Sequence, residues 1–184
     1  MKEKEESNST TSPSGKITKE DYIRNRDIWF HFNNILPSDE LKRTEILKQN
    51  LGRFGENSII RSPFLCDIGQ NVSIGNDVYI NYGLTILGAG TLRIDDKVAM
   101  SSGCTIITVD HPGKPALGDE WIDLPKSNRI GYGTWIGANV TILPGVTIGR
   151  YCIIGAGSVV TKDIPDWVVA AGNPARVIRE NDMV

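Results

Sequence analysis

Residues 130–160 read IGYGTWIGANVTILPGVTIGRYCIIGAGSVV. An aliphatic residue stands at every sixth position through this stretch: Ile130, Ile136, Ile142, Ile148, Ile154 and Val160. The same period runs upstream through Ile68, Ile74, Ile80 and Ile86 and then, after two additional residues, Ile94, Met100 and Ile106. A second column of small or medium residues lies four positions after the first, at Val72, Val78, Leu84, Val98, Cys104, Thr134, Val140, Val146, Cys152, Ser158 and Ile164. Glycine follows the first column directly at Gly69, Gly75, Gly131, Gly137, Gly149 and Gly155, where a tight corner between flat sides would fall. A fixed period of this kind decides the fold, because each repeat can bury its apolar positions only against its neighbours. Three hexads wind one triangular coil of a parallel β-helix, whose coils stack about 4.8 Å apart. The thirteen hexads supply about four coils, and the stretch around 107–129 completes a fifth.

The rest of the composition agrees with one ordinary domain. The chain has 184 residues, 40% of them hydrophobic and 23% charged, which supports a sizeable core and excludes wholesale disorder or a coiled coil. Twenty basic against 22 acidic residues give a net charge of −2, so the basic stripe that nucleic acid needs is missing. No uncharged apolar run reaches the roughly 18 residues of a membrane span, and the opening MKEKEESNSTTSPSG lacks a signal-peptide core. Residues 1–16 therefore read as a disordered tail and the protein as cytoplasmic. From Ile17 to Gly52 the pattern is helical. One segment spans about Lys19 to Asn33 and carries Tyr22, Trp29, Phe30 and Phe32 as core candidates. A second follows Ser38, with Asp39 and Glu40 in its first turn and Leu41, Ile46, Leu47 and Leu51 at helical spacing. The expected organisation is a tail at 1–16, a helical segment at 17–53, and a β-helix with a C-terminal tail at 54–184.

The repeat limits the chemistry. Cys104 and Cys152 lie in the second column, and Cys66 continues it one hexad above Val72, so all three cysteines read as small core residues rather than nucleophiles or metal ligands. With only two histidines, His31 and His111, a three-histidine zinc site of the γ-carbonic-anhydrase type is excluded, and no metal is expected. The period breaks at 107–129, ITVDHPGKPALGDEWIDLPKSNR, an excursion rich in Pro, Gly and charge. Loops held by a rigid scaffold commonly carry function, and His111 stands where the last regular strand would leave the prism. His31 lies in an aromatic helical stretch and reads as structural.

Several blocks make the chain resemble the hexapeptide-repeat acyltransferases, specifically the sugar O-acetyltransferases of the maltose, galactoside and nodulation type. They are VYINYGLTIL at 78–87, TVDHP at 108–112, GTWIGANVTILPGVTIG at 133–149, IGAGSVVTKDIP at 154–165 and AAGNPARVIRE at 170–180. FNNILPSDELKRTEILKQNLGRFGEN is similar to the same family's N-terminal helical block. The resemblance implies a left-handed helix, which the period alone leaves open, and a homotrimer with active sites between subunits. It implies transfer of an acetyl group from acetyl-CoA to a sugar hydroxyl, with His111 as general base. A neutral imidazole, whose ordinary pKa is about 6.5, suits that task. Asn81 would lie near the acceptor, where an amide can stabilise a developing oxyanion; read from the repeat alone, it is a corner residue in place of glycine. Tyr79, Asp123 and Arg24 are further acceptor-binding candidates. For the cofactor, Trp135 would flank the CoA arm, Ala138 and Ala156 would offer main-chain groups to the pantetheine, and Thr161, Lys162, Arg176 and Arg179 would approach the nucleotide phosphates. On charge alone, those cations read as a solvated end.

Two departures bear on the acceptor. Many relatives carry acidic residues shortly after the YxN strand, where this chain has Gly88, Ala89 and Gly90, and the segment before Asn33 diverges, with Arg24 or Arg26 as substitutes for the family's sugar contacts. Acetyltransfer to serine or an antibiotic, and a non-catalytic binding or scaffold role, stand as alternatives.

Overall fold

The computed structural model describes residues 17–111 and 123–182. The tail at 1–16, the middle of the excursion at 112–122 and the last two residues lie outside that range. Three parallel faces wind around one core. The first face stacks Arg53–Phe54, Val72–Ile74, Leu92–Ile94, Asn128–Ile130 and Thr147–Ile148. The second stacks Ile59–Ile60, Tyr79–Ile80, Ala99–Met100, Trp135–Ile136, Ile153–Ile154 and Val168–Gly172, and an antiparallel strand, Ala175–Glu180, finishes it. The third stacks Phe64–Cys66, Leu84–Leu87, Thr105–Ile107, Thr141–Ile142 and Val159–Val160. This is the left-handed parallel β-helix of the resemblance, about five coils long.

Both sequence columns face inward. Ile74, Ile80, Ile106, Ile130, Ile136, Ile142, Ile148 and Val160 are fully buried, as are Val98, Thr134, Val140 and Ser158 from the second column. The reason is strand alternation: a second-column residue precedes a first-column residue by two, so each short strand points two side chains into the core and one outward. Three positions differ from the sequence reading: Ile68 is no first-column residue but leads into the turn Gly69–Asn71, and two others change column. Cys66 pairs with Ile86 and so belongs to the first column, because two additional residues precede Val72 and shift the count. Ile164 bridges Ile148 and is likewise a first-column residue, reached by a corner two residues shorter than usual. The conclusion for the cysteines is unchanged: all three are buried, and desolvation pushes each thiol up.

The corner glycines divide into two kinds. At Gly75, Gly131 and Gly137 a Cβ would lie 2.6 Å from backbone nitrogens of the next coil (Asp96, Arg150 and Ala156), so these glycines answer to close stacking rather than to a left-handed backbone. The left-handed residue comes three positions after the first column, as at Gly83 (φ 82°) and Gly103 (φ 74°).

Two helices close the upper end. Helix α1, Lys19–Asn33, starts with a capping box between Thr18 and Asp21. Helix α2, Glu40–Asn50, is capped by the Asp39 side chain, which accepts from the Lys42 N–H; the cap is Asp39 rather than the Ser38 of the sequence reading, one residue nearer the helix. Trp29 and Phe32 are buried and meet Phe64 edge-on, with ring centroids 4.8 and 6.1 Å away. Phe30 is exposed, since it lies about 100° round the helix from Trp29, and Leu41 is exposed on the outer side of α2. His31 is also on the surface. Buried Arg43 ties α2 to the first coil through Ser62 and Ile60, its guanidinium 4.5 Å over the Phe32 ring.

Truncating Ile136 to Ala should cost about 2–5 kcal/mol in urea unfolding, whereas Thr141→Ala, on the outward side of its strand, should stay within about 0.5 kcal/mol. Equal losses would contradict the assignment of inward and outward columns.

Candidate active site

The helix is regular on two edges and irregular on the third, between the third and first faces. The step from the last inward residue of the third face to the next inward residue of the first is four residues at Ile142 to Val146. It is six at Cys66 to Val72, six at Ile86 to Leu92, and 22 at Ile106 to Asn128. Every insertion therefore stacks on one edge. Its upper part is anchored to α1, where the Asn25 side chain accepts from the Gly69 N–H.

The excursion is narrower than 107–129, since Ile107 still belongs to a third-face strand and Asn128 to a first-face strand. It leaves as an antiparallel hairpin whose described arms are Val109–Asp110 and Leu124–Pro125, with Asp110 opposite Leu124 and Val109 opposite Pro125. The Lys126 N–H bonds the Thr108 carbonyl at the root. Gly88-Ala89-Gly90 of the coil above forms the seat of this root. The Gly88 N–H bonds Asp67, the Ala89 carbonyl accepts from Asn71, and the Gly90 N–H bonds the Thr108 hydroxyl. A Cβ on Gly90 would run into the Lys126 and Thr108 carbonyl oxygens, and one on Gly88 into Val109. Those two glycines thus have a structural reason: nothing larger lets the hairpin leave the prism here.

His111 follows the first arm. Its Nδ1 stands 3.4 Å from the Asp123 carboxylate, and its backbone N–H donates to Asp110. About half of each side chain in the His111–Asp123 pair is exposed. Burial pushes the hydroxyl pKa of Tyr22 on α1 up, and the nearby charges of Asp123 and Asp67 add to the shift. A cavity of about 520 Å³ opens between α1 and the third face, lined in part by Arg26, Trp29, Leu65, Asp67 and Leu87. Arg24, two residues from Arg26 and so on another side of α1, instead pairs with Asp21 and lines a separate hollow with Glu20, Asp27 and His31.

The other candidates fall into two groups. Thr161 and Lys162 continue the third edge below the hairpin, directly after Val159–Val160. Asn81, Ala138 and Ala156 line the opposite, second edge, each just after a second-face strand. The Asn81 carboxamide oxygen accepts from the Tyr82 N–H, which leaves its NH₂ to donate outward. Asn81 does occupy the post-strand position used elsewhere by glycine. Ala138 already spends its carbonyl on the Gly157 N–H of the next coil. Tyr79 and Trp135 point out of the second face, Tyr79 against Arg61 and Trp135 half-exposed. Arg176 and Arg179 sit on the terminal strand of that face, opposite Ala171 and Val169. The third face separates the two groups: the turn at 82–83 and the strand Leu84–Leu87 lie between Asn81 and Gly88. Among the described residues, no cluster of three or more His, Cys, Asp or Glu could hold a metal ion. No described helix is long and apolar enough to cross a membrane.

The stacked hexapeptide prism carries one histidine on its hairpin, and residues 129–162 match the bacterial transferase hexapeptide (six repeats) family. The chain is 41% identical over 160 residues to galactoside O-acetyltransferase of Escherichia coli, covering 86% of this chain and 78% of that protein. It is 40% identical over 165 residues to a putative acetyltransferase of Saccharomyces cerevisiae, covering 90% and 82%. Among solved structures, a maltose O-acetyltransferase from Clostridium difficile superposes with a TM-score of 0.83 at 36% identity, covering 88% of this chain and 86% of that one. A galactoside acetyltransferase in complex with coenzyme A superposes at 0.84 and 40% identity, covering 89% and 82%. The chain therefore belongs to the sugar O-acetyltransferase branch of the hexapeptide-repeat acyltransferases, and it is an acyltransferase.

Gly90→Ala should destabilise the fold by about 2 kcal/mol or more, because the Cβ has only backbone to displace. Thermal and urea unfolding at wild-type values would mean that the hairpin root does not rest on this residue.

Proposed function

We propose that the protein is an acetyl-CoA-dependent O-acetyltransferase acting on a hydroxyl of a sugar or glycoside, with His111 as general base. The observation that carries this reading is the position of His111. It is one of two histidines in the chain and stands on the hairpin at the irregular edge, with Nδ1 turned to a carboxylate. In the ternary complex the His111 Nε2 takes the hydroxyl proton as the sugar oxygen bonds to the acetyl carbonyl carbon. The carbon–sulfur bond then breaks, and the departing thiolate receives that proton from the imidazolium, so the products are the acetyl ester and CoA. The Asn81 NH₂ donates to the oxyanion formed between these events. Trp135, Ala138 and Ala156 hold the pantetheine arm, and Thr161, Lys162, Arg176 and Arg179 the phosphates. The coenzyme A bound to a similar protein supports this assignment.

Asn81 and His111 of one chain stand on different edges, with the width of the third face between them. That separation supports a homotrimer in which the second edge of one subunit faces the third edge of the next. A closed ring of such heterologous contacts leaves neither of the two contacting patches unpaired. Residues 17–53 serve as the cap and 54–184 as the catalytic β-helix of a cytoplasmic enzyme. The glycines at 88–90, where many relatives are acidic, keep serine and antibiotic acceptors in the test.

Thiol release from acetyl-CoA, measured across sugars, amino acids and antibiotics, should depend on a sugar hydroxyl. His111→Ala should lower turnover by about 10²-fold or more without changing acetyl-CoA affinity. Unimpaired turnover in that variant would overturn the base assignment. No release with any acceptor, while CoA still binds, would favour a scaffold protein. Light scattering should return three times the 20.2 kDa chain mass, and a monomer at micromolar concentration would sink the intersubunit site.

A further inference from the structure

We infer that Asp123 is the positioning residue of His111: its carboxylate accepts the Nδ1–H and thereby holds the imidazole with Nε2 facing the acceptor. The inference deepens the reading of His111 as base and rests on it. It also changes what the sequence suggested for Asp123, which was contact with the acceptor.

Two observations carry it. The first is the 3.4 Å approach of Asp123 Oδ1 to His111 Nδ1. The second is independent of side chains. In the hairpin Val109 faces Pro125 and Asp110 faces Leu124, so the next opposed pair in that register is His111 and Asp123. Directly opposed residues of an antiparallel pair bring their Cβ atoms to about 5 Å, so the backbone itself sets the two side chains together. A slip of one residue would turn Asp123 to the other face of its strand. The register is held below the pair by the Lys126 N–H to Thr108 carbonyl bond and by the seat of Gly88 and Gly90.

The chemistry follows from the two nitrogens of the ring. A neutral imidazole carries its proton on one nitrogen and its lone pair on the other, and a carboxylate at Nδ1 favours the tautomer with the proton there. The lone pair is then on Nε2 before the acceptor arrives. When Nε2 takes the hydroxyl proton, the ring becomes a cation facing a carboxylate, and the charge that develops during the step is met in place. Among the described residues, the other charged or titratable groups around the pair are Asp110, whose carboxylate accepts the His111 backbone N–H, and Tyr22 and Asp67, which lie on the Asp123 side. None of these has the cross-strand position opposite His111.

The test uses Asp123→Ala, which removes the acceptor, and Asp123→Asn, which keeps its shape without the charge. Both should lower kcat about tenfold or more while leaving the KM values for acceptor and acetyl-CoA within about twofold. The nitrogen-15 spectrum of the imidazole reads the tautomer without reference to activity. With two histidines in the chain, His31→Gln assigns the His111 signals at once. In the neutral wild-type ring Nδ1 should carry the proton, and Asp123→Ala should abolish that preference. A raised acceptor KM at unchanged kcat would overturn the inference in favour of an acceptor contact. An unaltered tautomer in Asp123→Ala would overturn it as well. Failure of the base reading looks different: His111→Ala would then turn over normally, whatever the tautomer of the wild-type ring.

Discussion

The structure depends on the spacing at which one coil lies on the next. Its strands are two or three residues long for the most part, too short to persist singly, and each is held by backbone hydrogen bonds to the coils above and below. Bonds of that kind set the coil separation at about 4.8 Å and leave no freedom to adjust it locally. Two consequences follow along the whole chain. Inward residues must stack on residues of similar size, which is why Ile74, Ile94, Ile130 and Ile148 form one continuous column. Corners must also approach so closely that a side chain directly after a strand has to point away from the prism or be absent. Glycine takes the second course at Gly75, Gly131 and Gly137. Asn81 takes the first, so the constraint that excludes most side chains is also what turns this one outward.

The same rigidity explains why the irregular features share an edge. An insertion between two stacked coils interrupts the ladder unless its neighbours yield at the same corner. The two-residue additions after Cys66 and Ile86 lie directly above the point where the hairpin departs, and each layer makes room for the next: Asp67 and Asn71 hold the 88–90 turn, and that turn receives Thr108 and Lys126. Helix α1 covers the top of this edge through Asn25. The placement of His111 is thus the lowest step of a staircase that begins at the helical cap.

Periodicity made the core legible, because inward and outward positions alternate along each strand with no exception that depends on distant residues. It failed where the count changed. Cys66 pairs with Ile86 rather than continuing the Val72 column, and only the two additional residues at 67–71 reveal why. Exposure on the helices was not readable either: Trp29 and Phe30 are adjacent aromatics, and which of them meets Phe64 is decided by how α1 docks. The departure at Gly88-Ala89-Gly90 looked like a loss of acceptor contacts, yet its glycines are spaced for the hairpin root. Asp123 was legible as a residue of the loop and illegible as the partner of His111, since 12 positions of aperiodic sequence separate them and cross-strand register has no signature at that range.

Charge on the outer faces bears on how the proposed ring closes. The first face stacks Arg53, Ser73, Arg93, Arg129 and Thr147 in register, and like charges so placed repel. Ser73 separates Arg53 from Arg93, and Asp95 joins Arg93 to Arg129, bonding them at 2.7 and 2.6 Å. Burial works to raise the Asp95 carboxyl, but the two guanidiniums outweigh it and hold the group below the usual carboxylate range. Covering this face with another subunit would strip water from three guanidiniums that have one carboxylate between two of them, a cost that a new contact would have to exceed. The parallel strands of the second and third faces project uncharged side chains, Ile59, Ala99, Ile153 and Val169 from one and Leu65, Thr85, Thr105 and Val159 from the other, and the arginines of the second face, Arg176 and Arg179, are confined to its terminal antiparallel strand. In the proposed ring the second and third faces would meet head to tail around the axis, and the first face would stay outside. The edge that carries Asn81 and the edge that carries His111 both border the third face, so an association that covers that face brings a neighbour's residues to both.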